Sequence, residues 1–120
     1  MRIQSYRDLD AWKIAMELAV AVYELTKALP REEMYGLTAQ LRRAVVSIPS
    51  NISEGHQQGI KSYAHFITLA LGSLAETETQ LELAFRLRFV ARPQTEPISQ
   101  LVVHLRRVLH GLRRSLLARA

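Results

Sequence analysis

Arg43, Ser47, Ser50, Asn51 and Glu54 follow one another at i, i+4, i+7, i+8 and i+11. That spacing places side chains on one face of an α-helix. Gln40 and Gln58 extend the row at either end, and Ser73, Glu76, Thr77 and Gln80 form a second polar row further along the chain. Arg42 or Arg43 is positioned to pair with Glu76 or Glu54. Hydroxyls, amides, carboxylates and guanidinia arranged in rows do the chemistry of hydrogen-bond recognition. They form either a groove that holds a ligand or partner, or a satisfied polar network that fixes bundle register or an oligomer interface.

Catalytic and metal chemistry find little footing. Cysteine is absent, which removes disulfides, thiolate metal sites and cysteine nucleophiles. The histidines are His56, His65, His104 and His110. None follows a glutamate at the Glu-x-x-His spacing of di-iron bundles. His104 and His110 are six residues apart, poor spacing for joint ligation on one helix. No HExxH, P-loop or dinucleotide-binding glycine pattern occurs. Ser47 and Ser50 have no sequence-local histidine suited to a triad. Glu78 and Glu82 share a face, as exposed helix carboxylates commonly do. The expectation is a protein that is not an enzyme and has no cofactor or metal.

Charge is the other chemical resource. The net charge is +5, with 16 Lys and Arg against 11 Asp and Glu. Residues 86–120 hold eight Arg and a single acid, Glu96, whereas residues 1–85 carry a slight negative excess. Arginine favours bidentate contacts to phosphate and carboxylate. Such a segment is an electrostatic footprint for RNA or DNA, although a solvated basic face has the same composition. The candidate nucleic-acid contacts are Arg86, Arg88, Arg92, Arg106, Arg107, Arg113 and Arg114.

The elements that position these groups read as all helical. Breaks at ALPREE, EGHQQGIKS and ARPQTEP separate four helical runs with no alternating strand pattern. The first spans residues 9–28, with Asp8 as N-cap. It carries two apolar seams: Leu9, Trp12, Met16, Ala19 and Tyr23, and Ile14, Leu18, Val22 and Leu25. Two seams make either a second buried surface, hence self-association, or one wide core stripe. The second run spans residues 33–54 with a core stripe of Leu37, Leu41, Ala44, Val45, Ile48 and Ile52. Pro49 inside it removes a hydrogen bond and should kink the axis, and Gly55 suits a left-handed C-terminal position. The third spans residues 62–90, capped by Ser62, with Tyr63, Ile67, Ala70, Leu74, Leu81 and Ala84 inward. The fourth spans residues 97–117, begins at Pro97, and turns Ile98, Leu101, Leu105, Val108, Leu112 and Leu116 inward. Short connections between long helices make neighbours antiparallel, so residues 1–120 are expected to form one up-down-up-down four-helix bundle. No run reaches the ~18 apolar residues of a membrane span, and the N-terminus lacks a signal-peptide core. A cytoplasmic location is expected.

The stretches YGLTAQLRRAVVSIPSNISEG (residues 35–55) and SYAHFITLALGSLAETETQLELA (residues 62–84) resemble the 23S rRNA intervening sequence proteins, also called the S23 ribosomal protein family. YRDLDAWKIAMELAVAVYELTKALPREE (residues 6–33) fits the same pattern. The matching positions are Gln40, Arg42, Arg43, Ser47, Pro49, Asn51, Glu54, Gly55, Ser73 and Glu76. A more distant similarity is to the accessory variability determinant of diversity-generating retroelements. The resemblance implies an antiparallel four-helix bundle that assembles into a homopentameric ring and has a link with RNA or DNA. Many relatives follow the EG with an aromatic or Gly and then Arg, where this chain has Gln57 and Gln58. The alternative is an oligomeric protein–protein scaffold whose basic charge is incidental.

Overall fold

In the computed structural model, residues 5, 6 and 9–120 are described. Four helices account for most of them: α1 (Asp10–Thr26), α2 (Leu37–His56), α3 (Ile60–Arg86) and α4 (Arg92–Arg119), with a 3-10 turn at Arg31–Glu33. The described residues contain no strand. The helix pairs in contact are α1–α2, α2–α3, α3–α4 and α1–α4, so the four helices occupy the corners of a square. Cross-contacts fix their directions. Gln40 meets Gln80, Ser47 meets Ser73 and Gly55 meets Phe66, so α2 and α3 run antiparallel. Glu78 meets Arg106 and Thr68 meets Arg113, so α3 and α4 do as well. The all-α, up-down-up-down bundle measures 45 × 25 × 21 Å.

The core follows the expected stripes closely on α2 and α3. All twelve residues assigned to those two stripes are buried. On α1 the seams separate. Leu18, Val22 and Leu25 are buried, and Ala11, Ala15 and Ala19 let the helix sit close to its neighbours. Of the other seam, Leu9 and Trp12 are half-buried, while Met16 and Tyr23 are 39% and 40% exposed. Neighbouring Val20 is 61% exposed. α4 departs from its expected stripe. Val102 and Leu109 are buried, whereas Leu101, Val108 and Leu112 flank the core half-buried. The inward arc is centred one position away from the line chosen from sequence, because α4 packs against α3 on one side and α1 on the other.

Helix ends differ too. α2 begins at Leu37, not Glu33, because Gly36 (φ −112°, ψ −113°) interrupts the helical path. Glu33 serves as a cap instead: its Oε1 accepts from the Leu37 N–H at 3.0 Å. α3 starts at Ile60, its first turn closed by the Tyr63 N–H to Gly59 carbonyl bond at 2.9 Å. Ser62 therefore lies inside the helix and does not cap it. α4 starts at Arg92, so Pro93 is in the first turn and Pro97 is inside the helix on an exposed side. The Asp8 cap lies outside the described residues. Pro49 is buried within α2, whose helical run continues through it.

Gly55 is not a left-handed terminator; it is helical, and no described glycine has positive φ. Its use is steric. A Cβ there would lie 2.6 Å from Phe66 Cβ and 3.1 Å from Tyr63 Cδ1. The left-handed residue is Arg88 (φ 64°), where α3 stops short of the expected residue 90. The Arg88 N–H donates to Phe85 O at 2.9 Å and the Phe89 N–H to Ala84 O at 3.0 Å. This is a Schellman closure with arginine at the position glycine usually fills.

Gly55→Ala should destabilise the fold by about 1–3 kcal/mol, since overpacking against a rigid Cβ outweighs the helix-propensity gain of about 1 kcal/mol. Arg88→Gly should stabilise it by about 1 kcal/mol by removing left-handed strain. Urea denaturation of the two variants checks both signs.

Candidate functional site

The two polar rows meet along the α2–α3 seam. Gln40, Arg43, Ser47, Ser73, Glu76 and Gln80 line a groove of about 290 Å³. At its floor the Ser47 and Ser73 hydroxyls hydrogen-bond across the helix pair, and Ser47 Oγ also donates to Ala44 O at 2.8 Å. One hydroxyl has one proton, so Ser73 donates to Ser47 when Ser47 serves the carbonyl. Thr77 donates to Ser73 O at 2.9 Å and Asn51 Nδ2 to Ser47 O at 2.7 Å. Ser50 turns back to Val46 O at 2.9 Å. These hydroxyls and the Asn51 amide are thus hydrogen-bonded within the seam, whereas Gln80 Oε1 beside them is buried with no hydrogen-bond partner. The rim differs: among the described residues Arg43, Glu54 and Glu76 make no ion pair.

The expected pairing of Arg42 or Arg43 with Glu76 or Glu54 does not form. Arg42 points the other way, toward α1. Its Nε donates to Thr26 Oγ1 at 3.0 Å and its guanidinium sits 4.6 Å above the Tyr23 ring. Thr26 in turn donates to Tyr23 O at 2.8 Å. α1 has no basic residue in its last turn, so Arg42 supplies the cation that the negative end of that helix favours. Arg42 therefore belongs to the α1–α2 joint and not to the groove.

The seven candidate arginines divide by partner. Arg106 pairs with Glu78, and Arg113 Nη1 donates to Thr68 Oγ1 at 3.4 Å. Arg86 Nε lies 3.0 Å from Glu82 Oε2, and Arg92 Nη1 lies 3.3 Å from Glu82 Oε1. Arg92 also stacks on Phe85, 3.5 Å from the ring centroid. Among the described residues, Arg88, Arg107 and Arg114 make no ion pair, and all three are exposed. So α3 presents acids to one side of α4, and the other side keeps its charge. Sequence reasoning noted that Glu78 and Glu82 share a face but assigned them no partner. Their signal was spacing alone, because α3 and α4 had to be aligned before a partner could be named.

A hollow of about 580 Å³ lies between α3 and α4 and is lined by Glu82, Arg86, Arg92, Thr95, Leu83 and Val102 among others. Sequence reading missed it because it joins residues from the end of one helix and the start of the next. The hydrogen bond from Arg86 lowers the Glu82 carboxyl from its ordinary value; desolvation opposes it, and the Arg92 hydrogen bond and the charges of both arginines add to the lowering. At the opposite end of the bundle, burial pushes the Tyr63 phenol up, partly offset by Arg119. Among the described residues no three His, Asp or Glu gather to hold a metal ion, and no helix is long and apolar enough to cross a membrane.

A depressed carboxyl pKa means that the Glu82 ion pairs survive as pH falls through the ordinary glutamate range, and are lost only as pH drops through the folded value. NMR titration of the Glu82 carboxyl should therefore give a midpoint below the ordinary ~4.3. Arg86→Gln combined with Arg92→Gln should return it to that value.

Comparison with known proteins gives two findings, and curated proteins give no match. The sequence profile of the 23S rRNA-intervening sequence protein family matches residues 7–111. Among solved structures, the chain is similar to a protein of unknown function from the S23 ribosomal protein family of Bacteroides thetaiotaomicron. The TM-score is 0.79 at 28% identity, covering 87% of this chain and 95% of that one. The four-helix architecture and the profile match over nearly the whole chain agree: this protein belongs to the 23S rRNA-intervening sequence protein family.

Proposed function

We propose that the chain is a non-enzymatic, cytoplasmic, homo-oligomeric bundle protein that binds structured RNA or DNA through its arginine-rich surface. The observation that carries this reading is the charge on the α3–α4 side. Arg88, Arg107 and Arg114 are exposed and free of ion pairs among the described residues, and five further arginines lie on the same two helices or their junction. Phosphate contacts of this kind give sequence-independent affinity with steep salt dependence. The family name links its members to 23S rRNA, which agrees with an RNA partner.

Self-association is supported by the outer seam of α1. Met16, Val20 and Tyr23 form an exposed apolar row on a helix whose other side already fills the core. A second copy covering that row would remove it from water. The resemblance to ring-forming relatives makes a pentamer the assembly proposed. That same row favours the second reading, a protein–protein scaffold in which the apolar seam recruits a partner protein.

Light scattering behind size exclusion at low and high salt, with the absorbance ratio recorded, tests the proposal. The expected particle is near five times 13.7 kDa and sheds nucleic acid as salt rises. Arg107→Glu with Arg114→Glu should weaken binding by a similar factor across sequences and flatten the log–log salt slope by about two. Salt-independent affinity, or an unchanged slope in that double variant, would defeat the arginine-surface assignment. A clean oligomer that retains no nucleic acid at low salt would favour the scaffold.

A further inference from the structure

Three features converge where α3 hands over to α4. The first is a carboxylate held in an arginine clamp. Each oxygen of Glu82 takes one guanidinium, Arg86 at 3.0 Å and Arg92 at 3.3 Å. A phosphodiester presents the same pattern, two equivalent anionic oxygens on one atom. The clamp is ordered in advance, because Arg92 is stacked on Phe85 at 3.5 Å. It is also weakly held, since the Arg86 and Arg92 side chains are 75% and 56% exposed. Exposed ion pairs of this kind contribute little net energy and yield readily to a competing anion.

The second feature is shape. The clamp forms the wall between two hollows. One, of about 580 Å³, runs down the α3–α4 seam over Leu83 and Val102. The other, of about 530 Å³, lies around the connection and includes Arg88 and Phe89. Arg86 and Arg92 line both. A free phosphate needs one hollow. Two hollows joined across a cationic ridge suit a polymer with phosphates on the ridge and less polar groups to either side.

The third feature is strain. Arg88 is left-handed at φ 64°, a conformation costing a side-chain-bearing residue about 1–2 kcal/mol that glycine escapes. Nothing in the fold rewards an arginine there: it is exposed and makes no ion pair among the described residues. Arg88 is one of the residues that line the second hollow.

We infer that the α3–α4 junction is a binding track for a single-stranded nucleic-acid segment, with Arg86, Arg88 and Arg92 on its phosphates and Glu82 occupying the clamp as an internal competitor. This rests on the nucleic-acid reading above and names the form recognised and the place. The single strand is favoured over a duplex because Leu83, 46% exposed, offers apolar surface beside the clamp, which unpaired bases can use and paired bases cannot. The substitution Glu82→Gln keeps the shape and removes the competing charge.

The test measures binding of a labelled single-stranded RNA 20-mer and its blunt duplex to the full chain across a salt series. Four proteins are compared: wild type, Glu82→Gln, Arg88→Gly and the charge control Glu32→Gln, which removes one acid from the exposed α1–α2 connection. Glu82→Gln should tighten single-strand binding about three- to tenfold, with Glu32→Gln within about twofold of wild type. Arg88→Gly should weaken it severalfold and lower the salt slope by about 0.7, while its melting temperature rises. Equal gains in Glu82→Gln and Glu32→Gln, unchanged binding by Arg88→Gly, duplex binding as tight as single strand, or equal competition by polyglutamate would each overturn the track. If wild type binds neither RNA form, the RNA reading falls and the track with it. If wild type binds and the variants match it, only the track is lost.

Discussion

Two helices approach only as closely as the side chains between them permit, and the closeness of α2 to α3 is the constraint on which the bundle depends. Small residues line that seam: Ala44 and Ser47 from α2, Ala70 and Ser73 from α3, and Gly55 where the helices pass tightest. At Gly55 even one methyl group would meet Phe66 Cβ at 2.6 Å. The close approach is also what lets the Ser47 and Ser73 hydroxyls bond directly. A wider spacing would leave Ser73 buried at 9% exposure without that partner, a costly state for a buried hydroxyl. Steric fit and polar satisfaction therefore enforce the same interhelical distance. That distance sets the depth of the groove above the serines, and its antiparallel register brings Gln40 opposite Gln80.

Charge is organised by the next pair of helices. α3 offers Glu78 and Glu82 to α4, whose arginines would otherwise face one another with few acids nearby. These exposed pairs add little stability. Their consequence is geometric, since they orient Arg86, Arg92 and Arg106 while leaving Arg107 and Arg114 directed outward. The surface thus has a strip of paired arginines next to an unpaired one, a distinction invisible in the net charge of +5.

Much of this was legible before any coordinates. The stripes of α2 and α3 could be read without error because each faces a single dense core, so apolar residues recur at clean helical spacing. α4 was harder. Val102, Val103, Leu105, Val108 and Leu109 wrap more than half of its circumference, and periodicity alone does not choose the inward arc. Helix starts were misread where a competing backbone solution existed, as with the 3-10 turn ahead of Gly36 and the first-turn bond to Gly59. The polar rows were visible as rows, and their meeting in one groove followed from antiparallel packing. The partner of Arg42 was not, because adjacent positions on a helix differ by about 100° and point to different neighbours. Of the Glu82 clamp only the Arg86 half lay within sequence reach, at i+4 on the same helix; the Arg92 half requires the register of α3 against the residues beyond a tight turn.

Gly55 and Arg88 are opposite departures from local preference, and comparing them separates fold from function. Glycine inside a helix costs roughly 1 kcal/mol relative to alanine. At Gly55 the return is plain: the α2–α3 seam closes. Arginine in the left-handed region costs a similar amount, and the position asks only for a chain reversal, which glycine performs without strain. Arg88 is exposed and makes no ion pair among the described residues, so the side chain gains little from the fold. Where a chain departs from its local preference and the fold gains, packing is sufficient explanation. Where it departs and the fold gains nothing, the explanation lies with something the side chain meets from outside. By that argument Arg88 at the α3–α4 turn is the residue on which the proposed track is most open to test, and the glycine buried against Phe66 belongs to architecture.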